Sequence, residues 1–448
     1  MLCTNRRAAC ICGLGRSAAL QILAIATAIA VVCALQPIPI RSAGFPLDVC
    51  RASLTHPTAL FWQQCVVHCG PSKTALKLQL FTTRGPQCFG AGAGLKGLLM
   101  SSPTSPILRR LPLGSQWPCM NPFLFCAHHL DAYPKGNGAY GPDAALLTGR
   151  NLGHDFSGQD GWNMYHGQTV PGFPVHPHRG FETITLVRQG MLDHADSLGA
   201  MARFGEGDVQ WMTAGSGVQH TEMFPLLHTD RPNPLQLFQI WLNLPASHKM
   251  DPAHFTMYWN ETIPRLHHHD AAGHTTTVTV VAGPLPGAQP PLPPPPASWA
   301  AQAGSDVAVW IIELAPGAQW QLPAATNKEA GRVLYWYEGD GLSVENKAEQ
   351  AQTALQLDSQ HAVQLHNTGQ QTAALLLLQG VPIDEPVARY GPFVMNTEAE
   401  IHQAISDYRR TQFGGWPWPE SAPVHGPVPR RFARRPGKTE DERPPAAA

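Results

Sequence analysis

The chain has 448 residues, enough for two or three domains, and its 31 basic and 32 acidic side chains nearly cancel. The charge is unevenly placed, because residues 1–126 hold 11 Lys or Arg and a single acid, Asp48, so the rest has an excess of acids. An acidic body offers no basic surface to a phosphate backbone, which excludes strong direct binding of nucleic acid. All ten cysteines also lie within residues 1–126, so the fold that follows needs no disulfide and suits a reducing compartment.

Residues 1–115 are interpreted as a basic, acid-poor and poorly ordered N-terminal extension. Its distinct feature is an apolar segment at about 18–35, preceded by Arg6, Arg7 and Arg16 and about long enough to span a bilayer. A single membrane anchor, an organellar transit peptide and a long signal peptide all fit this pattern. The segment therefore predicts organellar targeting or membrane anchoring, and contact with a membrane only through these residues.

From about Gln116 the chain consists of short apolar runs, rich in β-branched and aromatic residues and separated by Gly, Pro, Asp and Asn. Four of these runs are Thr183–Val187, Val209–Met212, Thr276–Val280 and Val307–Ile311. Short strands at close spacing are typical of a β-sandwich or a β-barrel. The sequence therefore predicts an all-β body.

A Pro-rich segment divides this body into two domains. Residues 284–302 include four consecutive prolines at 293–296, which cannot enter a central strand and prefer a stiff, extended conformation. We therefore expect a linker here, between one domain at 116–283 and a second domain at 303–415.

A short helix is predicted at the end of the second domain, after a cap at Asn396 or Thr397. The residues that repeat with a helical period are Glu398, Ile401, Ala404, Ile405 and Tyr408. Residues 416–448 include Arg430, Arg431, Arg434 and Arg435 and a closing Pro-Ala run, and they predict a disordered tail.

Two pairs of metal-ligand residue types stand out in the first domain. His176 and His178 are two residues apart, and in a strand such side chains leave on the same face. His220 and Glu222 form a second pair with the same spacing. If a barrel brings the two strands together, they supply three nitrogens and one carboxylate, a set that suits iron(II), manganese, nickel or zinc. In octahedral geometry two positions stay open for substrate or dioxygen.

Four separated motifs resemble the signature of the pirin family in their order and spacing. They are His176–Thr183, Gly207–Gly215, His220–Met223 and Gly391–Thr397. The resemblance covers about Asn121 to Phe413 and implies two tandem cupin barrels, which are double-stranded β-helices of the jelly-roll type. Together with the predicted helix, this gives an all-β fold of two cupins with a short C-terminal helix.

The resemblance also implies one Fe²⁺ ion in the N-terminal barrel, with ligands that correspond to His176, His178, His220 and Glu222. The general cupin pattern would instead place the carboxylate ligand at Glu182, four residues after the second histidine. A bulge at the intervening glycine could turn Glu182 away, and the pirin pattern favours Glu222. The second barrel lacks a histidine pair, so no metal is expected there.

Five further residues are predicted to line the pocket around this metal. They are Phe173, Phe181, His194, Trp211 and Met212. The aromatic and thioether side chains would supply the dry wall that such a site needs. Packing in the core, or a turn in the case of His194, would explain the same residues without any ligand.

Two functions follow from the resemblance. The first is a quercetinase-like dioxygenase that uses dioxygen on a flavonol-like small molecule, with Glu222 as metal ligand or general base. The second is a non-enzymatic regulator, in which iron is a redox-sensitive element and the barrels bind a transcription factor or signalling partner. An enzyme needs an open, roomy pocket, whereas a regulator tolerates a closed one. The resemblance to pirins also implies the cytoplasm or nucleus as an alternative to an organelle or a membrane.

Overall fold

A computed structural model describes residues 64–67, 76–79 and 105–446 of the chain. The apolar segment at about 18–35 lies outside the described residues, and its role stays a prediction. Within the described residues, no helix is both long and apolar enough to cross a bilayer. Strands β1 (Gln64–Val67) and β2 (Leu76–Gln79) pair antiparallel as a hairpin, in a separate unit from residues 105–446.

The unit that contains residues 105–446 is built mainly of strands. In chain order these are β3 (Ile107–Pro112), β4 (Phe123–Asp131), β5 (Gly172–His178), β6 (Phe181–Gln189), β7 (Met191–Asp196), β8 (Met201–Gly205), β9 (Val209–Thr213), β10 (Val218–Met223), β11 (Leu235–Asn243), β12 (His254–Tyr258), β13 (Arg265–His269), β14 (Thr275–Ala282), β15 (Ala308–Leu314), β16 (Gln319–Leu322), β17 (Gly331–Glu338), β18 (Ser343–Val344), β19 (Lys347–Ala348), β20 (Thr353–Leu357), β21 (Val363–His366), β22 (Ala373–Gly380), β23 (Ala388–Tyr390), β24 (Phe393–Met395) and β25 (Phe432–Arg434). An α-helix, α1 (Glu398–Thr411), follows β24. Short 3-10 turns lie at Ala144–Leu147, Gln159–Gly161, Ala246–His248, Trp299–Ala301 and Gln412–Gly414.

The first barrel is made of two five-stranded antiparallel sheets, in the orders β25-β8-β7-β10-β5 and β12-β9-β6-β11-β4. Strand β6 is buried on both faces over most of its length. Val187 packs in the interior of the first barrel, whereas Ile184 and Leu186, on the opposite face, pack in a core shared with the second barrel. A central strand buried on both sides reads as a nearly continuous apolar and β-branched run, which is why the Thr183–Val187 pattern was informative.

The second barrel combines a seven-stranded sheet, β13-β14-β15-β22-β17-β20-β3, with a four-stranded sheet, β16-β21-β18-β19. Its interior is filled by leucines, valines and three tryptophans, Trp310, Trp320 and Trp336. The shared core contains side chains from both barrels, among them Phe238 of the first and Tyr335 of the second. The predicted all-β architecture of two barrels is confirmed.

The structure corrects the predicted domain boundaries at three places. Residues Ile107–Pro112, assigned to the extension, form β3 and pair with β20. Strands β13 and β14, assigned to the first domain, belong to the sheet of the second barrel, where β14 pairs with β15 and β13 pairs with β14. Both additions cover edges of that sheet that would otherwise present unpaired backbone groups.

The third correction concerns the tail at 416–448, which was predicted to be disordered. Residues 416–446 instead run along the first barrel, where β25 pairs with β8 at the edge of the sheet. The backbone N–H of Val175 donates to the carbonyl of Ser421, and the Trp418 indole donates to the carbonyl of Asp196. These contacts give the polar segment a fixed path that its composition did not indicate.

The predicted helix is confirmed as α1, which begins after Thr397. The Thr397 side chain accepts from the backbone N–H of Glu400, and the Glu400 carboxylate accepts from the backbone N–H of Thr397, so the helix starts with a capping box. Ile401 and Ala404 are buried against Phe393 in a small apolar cluster. The helix is thereby fixed against the β23-β24 hairpin.

Candidate metal centre

Strands β5 and β10 are antiparallel neighbours, and their pairing brings the two predicted histidine positions together. His176 and His220 are direct cross-strand partners, while His178 lies two residues along β5 on the same face. One ligand nitrogen from each of the three rings lies within 4.8 Å of the others. No other group of three His, Cys, Asp or Glu side chains is gathered this closely in the part of the chain that the structure describes.

Burial keeps these three imidazoles neutral. It lowers the pKa of His176 to about 4, and it lowers the pKa values of His178 and His220 well below the ordinary value. His176 Nδ1 lies 2.8 Å from the carbonyl oxygen of Pro174, so in the neutral ring Nδ1–H donates there and Nε2 keeps its lone pair. A neutral imidazole with a free lone pair is the form that binds a metal ion.

The centre also contains buried nitrogens without partners. Both ring nitrogens of His220 and Nδ1 of His178 are sealed from solvent and make no hydrogen bond to any described residue. A buried polar atom is normally satisfied, because leaving it unpaired costs about 1–3 kcal/mol. Nitrogen donors that face one another in this way fit a divalent transition-metal ion, so the residues present are compatible with the predicted metal.

Glu222, the predicted fourth ligand, does not belong to the three-histidine group. Its Oε2 accepts a hydrogen bond of 2.7 Å from Gln239 Nε2, and its Oε1 lies 3.0 Å from Thr185 Oγ1. Burial raises the pKa of this carboxyl group, and the hydrogen bond from Thr185 opposes the rise. The register with β5 shifts between His220 and Glu222, because β5 has one extra residue between Phe173 and His176. Strand β10 itself is regular, since His220, Thr221 and Glu222 pair in sequence with Asp196, Ala195 and His194 of β7.

Glu182, the alternative carboxylate, lies on the other side of the strand. The chain turns at Gly180, with φ of +84°, as it passes from β5 in one sheet to β6 in the other. Glu182 then falls on the face of β6 that carries Ile184, toward the shared core, and its oxygens accept from Thr213 Oγ1 at 2.7 Å and Ser298 Oγ at 2.5 Å. The two glutamates therefore lie on different sides, with Glu222 in the cavity wall and Glu182 toward the shared core. Which of them is a ligand stays a prediction.

A cavity of about 1300 Å³ opens beside the histidines. His176, His178 and Glu222 lie in its wall, as does Phe173, one of the five predicted pocket residues. The cavity provides what a pocket for a small aromatic molecule requires: apolar walls and a few convergent polar groups.

The other four predicted pocket residues do not line this cavity, and their prediction is corrected. Phe181 packs between His178 and Trp241, and Trp211 is in the core shared with the second barrel. Met212 is buried beside Val218. His194 is fully buried, with Nε2 3.4 Å from Asp196 Oδ2 and its ring centroid 5.5 Å from that of His220.

Several cavity residues were missed by the sequence reasoning. Two of them, Phe125 and His129, lie on β4, and Gln239 and Trp241 lie on β11, the strand that pairs with it. In each pair the residues are separated by an even number of positions, which was a usable signal of a shared face. The tail contributes Ser421 to the same wall, and no sequence pattern indicated this contact.

Comparisons with known proteins agree with this architecture. Two family models match, "Pirin" over residues 146–242 and "Pirin C-terminal cupin domain" over residues 309–414. A Pseudomonas aeruginosa protein named "Putative quercetin 2,3-dioxygenase" is 38% identical over 242 residues, which cover 54% of this chain and 79% of that protein. Human pirin is 33% identical over 258 residues, which cover 56% of this chain and 81% of pirin.

Among solved structures, a crystal structure of quercetin 2,3-dioxygenase from Acinetobacter baumannii aligns with a TM-score of 0.52 and 26% identity. The alignment covers 69% of this chain and 98% of that one. The prediction of tandem cupins is thus confirmed by both family models and by this likeness in fold.

Proposed function

The chain belongs to the pirin family, and from this premise we propose that it is a metal-dependent dioxygenase of the quercetin 2,3-dioxygenase type, acting on flavonol-like substrates. The observation that carries the proposal is the group of three neutral histidines, His178 and His220 buried and His176 half-buried, beside a large open cavity. The names of the Pseudomonas and Acinetobacter relatives support the same reaction class.

We propose Fe²⁺ as the ion, held by His176, His178 and His220, with manganese, nickel or zinc as alternatives that the same donors accept. When bound, the ion would act as a Lewis acid toward substrate oxygens and would supply the one-electron chemistry that dioxygen requires. The neutral rings contribute no charge, so a nearby carboxylate is the natural counter-charge. Glu222 is the acid in the cavity wall that can provide it.

Glu222 is also placed to take a proton from a substrate hydroxyl. Its carboxylate is held from behind by Gln239 and Thr185, and burial raises its pKa, which makes it a stronger base than an exposed glutamate. The role as fourth ligand remains part of the prediction. Turning the carboxylate toward the histidines would exchange its hydrogen bonds to Gln239 and Thr185 for a bond to the ion.

The cavity walls suit a flat aromatic substrate. Phe125, Phe173 and Trp241 lie in the wall, and aromatic faces give a planar ring large contact area without a requirement for polar partners. A regulator with a structural iron needs no such cavity, so the open space favours the enzyme over the regulator.

The test is oxygen consumption by protein purified without oxygen and loaded with one metal at a time. We expect the iron-loaded protein to consume oxygen with quercetin and to be inactive with luteolin, which has the same rings but lacks the 3-hydroxyl group. The His220→Ala variant should hold little iron and consume no oxygen. If iron-loaded protein binds quercetin without consuming oxygen, the enzyme proposal fails and the regulator becomes the better explanation.

A further inference from the structure

A second polar group faces the cavity near Phe173, apart from the three histidines. His129 of β4 lies in the cavity wall, and its Nδ1 is 2.7 Å from the hydroxyl oxygen of Tyr165. That hydroxyl is in turn 2.7 Å from Asp131 Oδ2. We call this arrangement the His129–Tyr165–Asp131 chain. Nothing in the proposed chemistry at the metal uses it.

The hydrogen-bond partners of Asp131 fix the direction of the chain. Asp131 Oδ1 accepts from the backbone N–H of Asn163 at 2.8 Å and from its side-chain amide at 3.0 Å. An ionised carboxylate can only accept hydrogen bonds, so the Tyr165 hydroxyl donates to the second oxygen, Oδ2. The Tyr165 oxygen is then the acceptor for Nδ1–H of His129. This leaves Nε2 of His129 as a hydrogen-bond acceptor.

That acceptor has no protein partner. Nε2 of His129 makes no hydrogen bond to a residue within 105–446, and it is not among the side-chain nitrogens that are sealed from solvent. Burial lowers the pKa of His129 to about 4, so the ring is neutral near pH 7 and the lone pair is available. In many catalytic sites an acid hydrogen-bonded to Nδ1 fixes the tautomer of an imidazole and leaves Nε2 as a proton acceptor. Here Asp131 has the same effect on His129 through the Tyr165 hydroxyl.

The backbone around Tyr165 supports a role beyond filling space. Tyr165 has φ of +57°, a left-handed conformation that is unfavourable for a bulky residue and persists only where surrounding contacts hold it. Its ring stacks on Phe173, with centroids 5.1 Å apart and planes at 28°. The centroid of the Phe173 ring lies 6.0 Å from that of His129 and 6.3 Å from that of His176, so Phe173 is a neighbour of both imidazoles in the cavity wall.

We infer that His129 is a substrate-binding residue, whose Nε2 accepts a hydrogen bond from a hydroxyl on the part of the substrate remote from the metal-binding oxygens. Tyr165 and Asp131 are positioning residues that act through His129. The inference rests on the proposed function and narrows its substrate class to aromatic compounds with hydroxyl groups at both ends. Flavonols with hydroxyls on the outer rings belong to this class, whereas 3-hydroxyflavone, which has only the metal-binding end, does not.

The experiment measures ligand binding without turnover, by quenching of tryptophan fluorescence in zinc-loaded full-length protein. Quercetin and 3-hydroxyflavone are each titrated into the wild type and into His129→Phe, which keeps a flat ring but removes the acceptor. We expect the Kd of quercetin to rise roughly five- to tenfold, the effect of one lost hydrogen bond, and the Kd of 3-hydroxyflavone to change less than about twofold. Tyr165→Phe should show the same preference with a smaller rise.

Two further variants separate a binding role from a structural one. His129→Gln can place an amide oxygen near the position of Nε2, so it should recover part of the affinity for quercetin that His129→Phe loses, and it serves alone if His129→Phe does not fold. His228→Asn, at a histidine outside the cavity wall, should change neither Kd.

Equal weakening of both ligands in His129→Phe, or no weakening of either, would overturn the inference while leaving the proposed function intact. If neither flavonol binds the zinc-loaded wild type, the proposed substrate class fails and the inference fails with it.

Discussion

The buried carboxyl of Glu182 should make the stability of this protein depend on pH, and Glu182→Gln should remove that dependence. Glu182 is fully buried toward the core shared by the two barrels, where its hydrogen-bond donors are Ser298 and Thr213. Glutamine has the same shape, can accept from Thr213 through its oxygen, and can donate to the Ser298 hydroxyl. The substitution therefore tests the charge rather than the packing.

Burial raises the pKa of Glu182 from an ordinary 4.5 to about 7, and the hydrogen bonds from Ser298 and Thr213 oppose the rise. Between these two pH values the folded protein keeps a proton that the unfolded chain has lost, so the free energy of unfolding falls as pH rises. The stabilising contribution is complete below about pH 4.5 and is lost by about pH 7. At about 1.36 kcal/mol per pH unit, the loss amounts to roughly 3 kcal/mol.

The assay is urea unfolding followed by tryptophan fluorescence, at several values between pH 4.5 and pH 8. Other titrating groups affect the wild type and the variant alike, so the difference in unfolding free energy isolates Glu182. We expect that difference to shift in favour of Glu182→Gln by roughly 3 kcal/mol across the interval, and to stay level above it. Glu440→Gln makes the same chemical change at an exposed position and controls for the loss of one charge.

Parallel stability profiles for the wild type and Glu182→Gln would refute the reasoning, since they would mean that the carboxyl is ionised without cost in the folded state. Metal content provides an independent check on the same variant. Glu182 lies on the side of β6 away from the histidines, so Glu182→Gln should keep the bound iron. Loss of iron in this variant alone would mean that Glu182 is the carboxylate ligand, as in the general cupin pattern.

Three other outcomes are expected. His220→Ala should lose bound metal, measured by elemental analysis, while the apolar core of the second barrel keeps its unfolding transition; full occupancy would exclude His220 as a ligand. Glu222→Gln should abolish oxygen consumption and retain iron if the carboxylate is the base, whereas loss of iron would make it the fourth ligand. A chain that starts at Ser105 should be monodisperse by light scattering, but one that starts at Gln116 should aggregate, because it lacks β3 and exposes the edge of β20; equal behaviour would show that β3 is dispensable.

The histidine group could be predicted from the sequence because it depends on few assumptions. His176 and His178 share a face in any strand, and His220 needs only that β10 pair with β5 in the observed register. The helix was equally local, since its start depends on Thr397 and Glu400, which are three residues apart. A prediction that depends on only a few neighbouring residues holds even when the pairing of distant segments is unknown.

Pairing between distant segments could not be predicted in this way. Strand β3 has a single buried residue, Ile107, so it shows no alternation that would have marked it as part of a sheet. The arginines of the tail indicated a solvated end, yet Arg431 contacts the buried Asp208, and Arg434 pairs with Asp441 at 2.8 Å. The contacts of both segments are with residues that are distant in sequence or lie in an irregular turn. No local sequence pattern predicts such contacts.

The turn at Gly180 explains why the two most distant motifs of the signature belong to one site. A Cβ at Gly180 would lie 2.0 Å from the carbonyl oxygen of Val394, so only glycine allows this approach. The backbone N–H of Val394 donates to the carbonyl of Arg179, and the backbone N–H of Arg179 donates to the carbonyl of Pro392. Lys249 Nζ also donates to the carbonyl of Gly180 at 2.7 Å. The segment after the second barrel therefore holds the turn that follows His178.

This turn also determines which of the two glutamates lies on the cavity side. Because the chain changes sheets at Gly180, His178 stays on the cavity side while Glu182 is carried to the shared core. The acid that does lie in the cavity wall beside His176 and His178 is Glu222 of β10, which we propose as the base or the fourth ligand. The position of Glu182 away from the cavity is thus a consequence of how the segment after the second barrel packs against the turn at Gly180.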